Sequence, residues 1–281
     1  MSSSKRTVLI TGCSEGGLGA ALAIAFHEAG LHVYATARDP SKMKQLTALG
    51  IETLTLDVLS DSSIAECVSQ LSSLDILINN AGAGYSMPIS DLSIPEAKKL
   101  FDINVWSYIA TIQAFLPLLL KSKGMIVNQT SVVAVIGIPF QAAYNASKAA
   151  LSMFSESLRL ELEPFDVRVV DLKTGGVKTN FFNNSKERYD VRLPKDSIYE
   201  PARETVEKTL SGEIFTSTAM PPEQWARLVV KDLLQKRPPL NIWRGTSATL
   251  SWLATLLPVG TLDGQVKKMT GIDVVERMVR K

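Results

Sequence analysis

Short runs of valine, isoleucine and leucine alternate along the chain with longer stretches in which apolar residues return every three or four positions. The first pattern suits strands buried on both faces, the second helices that cover a sheet. Together they predict strands over 7–11, 32–37, 52–57, 76–79, 124–129, 167–172 and 240–243. Helices are predicted over 19–29, 41–49, 62–71, 95–120, 141–163, 201–211 and 222–235, most of them opened by Ser, Asp or Pro. Regular alternation with short connections builds βαβ units, so the expected fold class is α/β, a doubly wound seven-stranded parallel sheet in a single domain. The rhythm fails over 180–222, where charges, prolines, Phe181, Phe182 and Tyr199 mix without a strand. A substrate lid is expected there, with a surface insertion that touches no ligand as the alternative. The main domain is expected over 1–245, and 246–281 forms a tail that the basic fold does not require.

Composition adds limits. With 281 residues, 46% hydrophobic and 21% charged, the chain can bury one large core. A formal net charge of +2 offers no concentrated basic stripe, and no nucleic-acid partner is expected. The two cysteines, Cys13 and Cys67, form no CxxC pair and have no histidine cluster beside them. Free thiols in a reducing compartment are expected, with no disulfide and no metal. The first strand starts at Thr7, directly after Arg6, so no cleavable signal peptide and no secretion are expected. The stretch 250–259 is interrupted by Ser251, Thr255 and Pro258 and is shorter than the ~20 residues that cross a bilayer, so no transmembrane helix is expected.

Candidate chemistry begins at Thr11-Gly12-Cys13-Ser14-Glu15-Gly16-Gly17-Leu18-Gly19, where the first strand gives way to the first helix. Backbone amides and a helix N-terminus at such a turn can hold a pyrophosphate, and glycines there let the phosphates approach. A tight turn without ligand is the alternative. The second strand ends in Arg38, at the place where an acid would chelate the ribose hydroxyls of NAD. A guanidinium there can pair with the 2′-phosphate of NADP(H), although Asp39 follows and could be its partner instead.

Tyr144 and Lys148 lie four residues apart in the predicted helix 141–163 and so share one face. An ammonium near a phenol favours the phenolate and would bring it toward a working pH as a general acid or base. A plain amphipathic helix explains the same spacing. Ser131 follows the apolar strand over 124–129, at the carboxyl end where open α/β sheets bind ligands, and could orient a substrate oxygen or merely cap a turn.

With these motifs in order, the chain resembles the short-chain dehydrogenase/reductase superfamily over 7–243. Asp57-Val58 matches the family's adenine-contacting acid, and Asn79-Asn80-Ala81-Gly82 matches its Asn-Asn-Ala-Gly segment. Asn104 matches its helix asparagine, and Ser131, Tyr144 and Lys148 its catalytic set. The resemblance implies a Rossmann fold and hydride transfer with NADPH/NADP, Tyr144 acting as acid while Lys148 holds the nicotinamide ribose and Asn104 a water. Implied cofactor contacts are Gly12, Ser14, Gly17, Leu18, Gly19, Arg38, Asp57, Val58, Asn80, Ala81, Gly82, Tyr144, Lys148, Val177 and Thr179. Two departures stand out. The glycine loop is one residue longer than usual, so Glu15-Gly16 is expected to bulge, and Thr174-Gly175 replaces Pro-Gly after the sixth strand.

The segments Thr174 to Val177, Leu193 to Tyr199 and Trp243 to Thr246 are similar to those of fungal NADPH-dependent 1-acyldihydroxyacetone-phosphate reductases. This implies reduction of a lipidic ketone to an alcohol, and a location in the cytoplasm or peripheral at endoplasmic reticulum or lipid droplets. Phe181, Phe182 and Tyr199 could line an apolar channel, and Lys178, Lys186, Arg188, Arg192 and Lys195 could meet a phosphate. The tail over 243–259 could lie at a membrane interface, or pack on the core or a second subunit. Relatives form homo-oligomers through the helices over 95–120 and 141–163. The alternatives are a ketoreductase or alcohol dehydrogenase of secondary metabolism, and a non-catalytic NADP(H)-binding protein.

Overall fold

The computed structural model describes residues 5–189, 192–215 and 218–280. Positions 190, 191, 216 and 217 of the expected lid, and both chain ends, lie outside the described residues. Seven strands form one parallel sheet: β1 (Thr7–Thr11), β2 (His32–Ala37), β3 (Glu52–Thr55), β4 (Ile76–Asn79), β5 (Met125–Gln129), β6 (Arg168–Thr174) and β7 (Asn241–Arg244). Their order is β3-β2-β1-β4-β5-β6-β7. The chain therefore winds outward from β1 in one direction and then in the other, and the crevice for a ligand opens at the carboxyl ends of β1 and β4.

The central strands β1, β4 and β5 are buried at every position, which is why their sequences are continuous apolar runs rather than alternating ones. One face is covered by α1 (Leu18–Glu28) and, later in the chain, Pro222–Leu233, with Phe26 and Trp225 fully buried between them and the sheet. The other is covered by α3 (Asp61–Ser69), which follows the short α2 (Lys44–Ala48), and by the long helical stretch after β4, where Phe115 and Leu119 are fully buried. That stretch is α4 (Ile94–Phe101), a π-helical turn at Asp102–Trp106, and α5 (Ser107–Ser122). Its 29 residues, 94–122, are long and apolar enough to cross a membrane, a property the sequence reading assigned to no segment. Burial of Tyr108, Ile112, Phe115 and Leu119 against the sheet makes it a core helix.

β3 is shorter than expected. Leu56 still donates its N–H to the Ala37 carbonyl, but the Asp57 carboxylate accepts from Leu59 N–H at 3.0 Å and turns the chain out of the sheet. β6 is longer, because its pairing with β7 continues to Thr174.

Beyond α6 (Ala142–Leu162), the region expected as a lid has no strand among its described residues. It carries α7 (Phe181–Arg188), a 3₁₀ turn at Glu200–Ala202 and α8 (Arg203–Leu210) before α9 (Pro222–Leu233). After β7 come α10 (Ala248–Ala254), α11 (Asp263–Thr270) and α12 (Ile272–Val279). The lid and the end of the tail share a third apolar cluster in which Tyr85, Met87, Phe140, Tyr189, Leu193, Val206, Leu210 and Val275 are buried. Thr209 Oγ1 also donates to the Thr270 carbonyl at 2.9 Å, so α11 is tied to α8. Leu250, Trp252, Leu253, Leu256, Leu257 and Val259 remain exposed.

Candidate active site

The glycine loop leaves β1 and enters α1 through Gly17, whose backbone is extended and which offers no side chain to cap the helix. The first amides of α1 therefore point outward without a protein side-chain partner, as an anion-binding helix start requires. Gly12 has φ +75°, and a Cβ on it would lie 2.9 Å from the Ala81 Cα. A Cβ on Gly19 would lie 2.4 Å from the Gly12 carbonyl oxygen, so α1 can cross β1 this closely only with glycine there. The added residue bulges as expected, and the bulge is held. Glu15 N–H donates to the Lys42 carbonyl, and its carboxylate accepts from Gln45 N–H at 2.9 Å. Gly16 accepts from the backbone N–H of Asn180, at the foot of the lid.

Asn80 supports this loop from beneath, donating through Nδ2 to the Thr11 and Gly12 carbonyls at 2.8 and 3.1 Å. Its amide is engaged by protein, whereas Ala81 and Gly82 continue along the crevice. Asp57, half-buried, and Val58, buried, follow β3 beside it. At the end of β2, Arg38 is exposed and makes no ion pair among the described residues. Asp39 is not its partner. That carboxylate is hydrogen-bonded by the Ser41 side chain and by Ser41 N–H, which together hold it below the usual carboxylate range. Ser14, Leu18, Val177 and Thr179 are half-buried, Val177 pairing with Met220 and Thr179 accepting from Phe181 N–H.

Tyr144 and Lys148 lie on the first turns of α6, and Ser131 caps the 3₁₀ turn Val132–Ala134 just after β5. Burial pushes the Tyr144 phenol up to about 12, against the opposing effect of its hydrogen bond with Ser131. Burial pulls the Lys148 ammonium down to about 7, with the Asp171 carboxylate acting the other way. Lys148 Nζ donates to the Gln129 carbonyl at 2.7 Å and lies 5.4 Å from the centre of the Tyr108 ring. Expectation and structure part here: the ammonium is directed to the end of β5, and burial dominates the phenol, which stays protonated through neutral pH. That state is the one an acid needs.

Asn104 sits in the π-helical turn and is fully buried. Its Oδ1 accepts from Ala83 N–H at 2.9 Å, while Nδ2 donates to the Ala83 carbonyl and to Ser147 Oγ, both at 3.0 Å. The side chain thus fastens the segment after β4 to the α6 turn that carries Tyr144 and Lys148. The lid closes from above: the Phe181 ring is 5.6 Å from that of Tyr144, and a Cβ on Gly84 would be 2.8 Å from it. Phe182 instead stacks on Phe215 within the lid, and Tyr199 packs edge-on against Phe140.

The glycine loop, Arg38, Ala81–Gly82 and Lys148 therefore follow one crevice across the carboxyl ends of the strands, and Tyr144, Ser131 and Phe181 stand at its far end. The family model described as short chain dehydrogenase matches residues 6–190. The chain belongs to this family. It is 58% identical over 280 residues to a short-chain dehydrogenase/reductase of Pestalotiopsis microspora, covering 100% of this chain and 99% of that one. It is 39% identical to an NADPH-dependent 1-acyldihydroxyacetone phosphate reductase of Schizosaccharomyces pombe, over 94% of this chain and 93% of the relative. Among solved structures, a short-chain dehydrogenase from Streptomyces avermitilis superposes with a TM-score of 0.76 at 25% identity, covering 99% of both chains. The chain is thus an oxidoreductase of the short-chain dehydrogenase family with a single Rossmann-type domain.

One group of this short-chain dehydrogenase escaped the sequence reading. Asp171 and Lys173 are both buried on β6 and paired with each other. Asp171 also accepts from Thr130 and Ser152, and Lys173 donates to Asn241 at 2.8 Å. The signal was present, since two opposite charges two positions apart on a central strand share one face.

Proposed function

We propose that the protein reduces a lipidic ketone to a secondary alcohol with NADPH, acyl-dihydroxyacetone phosphate being the substrate of choice. The observation that carries this reading is the Tyr144 phenol, kept protonated by burial under the Phe181 ring and next to Ser131. A protonated phenol at the carboxyl end of the sheet can give its proton to a carbonyl oxygen as that oxygen becomes an alkoxide. Ser131 orients the oxygen, and Lys148 favours the phenolate that proton donation leaves behind. Bound NADPH supplies the hydride to the carbonyl carbon. The residues present fit that cofactor: open amides at the start of α1 for the pyrophosphate, and for the 2′-phosphate the Arg38 guanidinium with no ion-pair partner among the described residues. The Schizosaccharomyces pombe relative, named as NADPH-dependent, supports the same choice.

A cavity of about 890 Å³ between α4 and the lid has room for a substrate with an apolar body. Tyr85, Met87, Tyr189 and Leu193, all in the cluster against which Tyr144 packs, form its apolar wall, and charges of both signs line the rest, Arg188, Arg192 and Lys195 beside Asp91, Glu96 and Glu200. Lys178 and Lys186 are exposed and lie outside it. Loss of NADPH absorbance with a long-chain acyl-dihydroxyacetone phosphate, beside a panel of apolar ketones without phosphate, tests the proposal. Turnover of the phosphate substrate at the higher kcat/KM is expected. Turnover of the plain ketones alone moves the enzyme to secondary metabolism, and turnover of none sinks the reductase reading.

The location belongs to the same proposal, peripheral contact with a lipid surface through the tail. Between Arg244 and Asp263 the chain carries no charge, and Val259 is fully exposed at the tip of an apolar turn. A stable dimer needs ~20–30 residues a side, more than this turn offers, whereas a tryptophan with flanking leucines suits the membrane interface. The face of the π-helical turn and α6 that leaves Trp106, Met153, Phe154 and Leu160 exposed is the better candidate for a second copy of the chain.

A further inference from the structure

Directly behind the proton-handling groups lies a charged pair that the chemistry above does not use. Asp171 and Lys173 follow each other on one face of β6, with side chains only 8% and 7% exposed. A buried pair gives up the hydration of both charges and is weak evidence of stabilisation. Its connections are more telling. Asp171 Oδ1 accepts from Thr130 Oγ1, and Thr130 also donates its backbone N–H to the Leu172 carbonyl at 3.0 Å, so the residue before Ser131 is held at two points. Asp171 Oδ2 accepts from Ser152 Oγ at 2.6 Å, one helical turn beyond Lys148 on α6. The neighbouring residue of β5, Gln129, receives the Lys148 ammonium on its carbonyl and donates its amide to Thr174 at the end of β6. One carboxylate thus ties together β5, β6 and α6 at the points from which Ser131 and Lys148 project.

We propose that Asp171 is a positioning residue for this site, fixing Ser131 through Thr130 and α6 through Ser152, while its negative charge, offset by Lys173, stands behind Lys148. The groups that face Lys148 are few. Tyr108 comes from α5 and Asp171 from β6, with Lys173 paired to that carboxylate, and Tyr144 stands one turn before Lys148 on their shared helix. β5 presents a carbonyl and the π-helical turn an uncharged asparagine. Asp171 is therefore the one carboxylate among the described residues that bears on Lys148, and it opposes the effect of burial there. Lys173 is itself spread over Asp171, Asn241 and the Trp243 ring, which limits how much of the carboxylate's field it cancels.

The inference rests on the ketone-reductase reading, because it concerns the charge that supports proton donation by Tyr144. Reduction should fall as pH rises through the titration of Lys148, since the neutral amine no longer favours the phenolate. Asp171→Asn keeps an oxygen and an amide for Thr130 and Ser152 but removes the charge, so that falling limb should move to lower pH. Lys173→Met leaves the carboxylate unopposed, and the limb should move to higher pH. The double variant D171N/K173M loses one charge of each sign and should return the limb near its original position. The experiment is the pH profile of kcat at saturating NADPH and ketone for the wild type and the three variants, with thermal unfolding of each. If Asp171→Asn does not fold, the comparison of Lys173→Met with the double variant reads the same sign. Wild-type turnover with limbs that stay put, or that move the same way in both single variants, overturns the role of Asp171. Absence of wild-type turnover overturns the reductase reading instead.

Discussion

A single side chain decides the cofactor argument. Arg38 is exposed at the end of β2, and the acid that follows it is spent on Ser41, so the guanidinium remains available to an anion at the adenosine end of the crevice. Arg38→Asp replaces that attraction by repulsion of a 2′-phosphate. The ratio of kcat/KM for NADPH to that for NADH should fall roughly 10- to 100-fold, corresponding to the ~1.5–3 kcal/mol of a hydrogen bond to a charged group. Steady-state kinetics with both cofactors checks this, and an unchanged ratio removes Arg38 from the argument. At this scale much of the site was legible in the sequence, because Arg38, Ser131, Tyr144 and Lys148 occupy positions set by strand ends and helix spacing. The protonation of Tyr144 was not legible. It depends on burial beneath Phe181, a residue thirty-seven positions away in sequence, and spacing along one helix carries no information about desolvation.

Elements place those side chains, and the most informative one is the interrupted helix after β4. The apolar pattern over 95–120 reads as one continuous helix, yet the structure inserts a π-helical turn at Asp102–Trp106. An extra residue in one turn rotates the following face, which is how Asn104 comes to look back at Ala83 and Ser147 while α5 still buries Phe115 and Leu119. Hydrophobic spacing cannot show such a turn, since both flanking helices keep their own period. Asn104→Ala leaves the Ala83 N–H and carbonyl short of a partner in a buried place, each such loss costing ~1–3 kcal/mol, and takes from the Ser147 hydroxyl one bond while it still donates to the Tyr144 carbonyl. A lower unfolding temperature together with a reduced kcat is expected, read by calorimetry and by NADPH consumption. Full activity at unchanged stability would remove the asparagine from its fastening role. The tail helices escaped the sequence reading for a related reason. α10, α11 and α12 span only seven or eight residues each, below the length at which helices hold by themselves, so packing determines them, that of α10 on β7 and that of α11 and α12 on the lid.

At the scale of the whole molecule, two long apolar segments had to be told apart, and burial separates them. Residues 94–122 are apolar because they cover a sheet, whereas the end of α10 and the turn after it, Leu250 to Val259, leave all their large apolar side chains exposed. Exposed side chains of this size favour a nonpolar environment by ~1.5–3 kcal/mol each when fully buried, which is the basis of the proposed contact with a lipid interface. The paired variant Leu256→Glu and Val259→Glu changes two exposed positions that touch neither the sheet nor the crevice. It should fold and reduce a soluble ketone as the parent does, while losing most of its sedimentation with phospholipid vesicles. Tryptophan fluorescence, to which exposed Trp252 contributes beside Trp106, Trp225 and Trp243, is expected to shift to the blue when the parent meets vesicles and not when the variant does. Should the parent remain in the supernatant while the variant changes its sedimentation coefficient in the absence of lipid, the turn is an interface between copies of the chain, and the peripheral location falls.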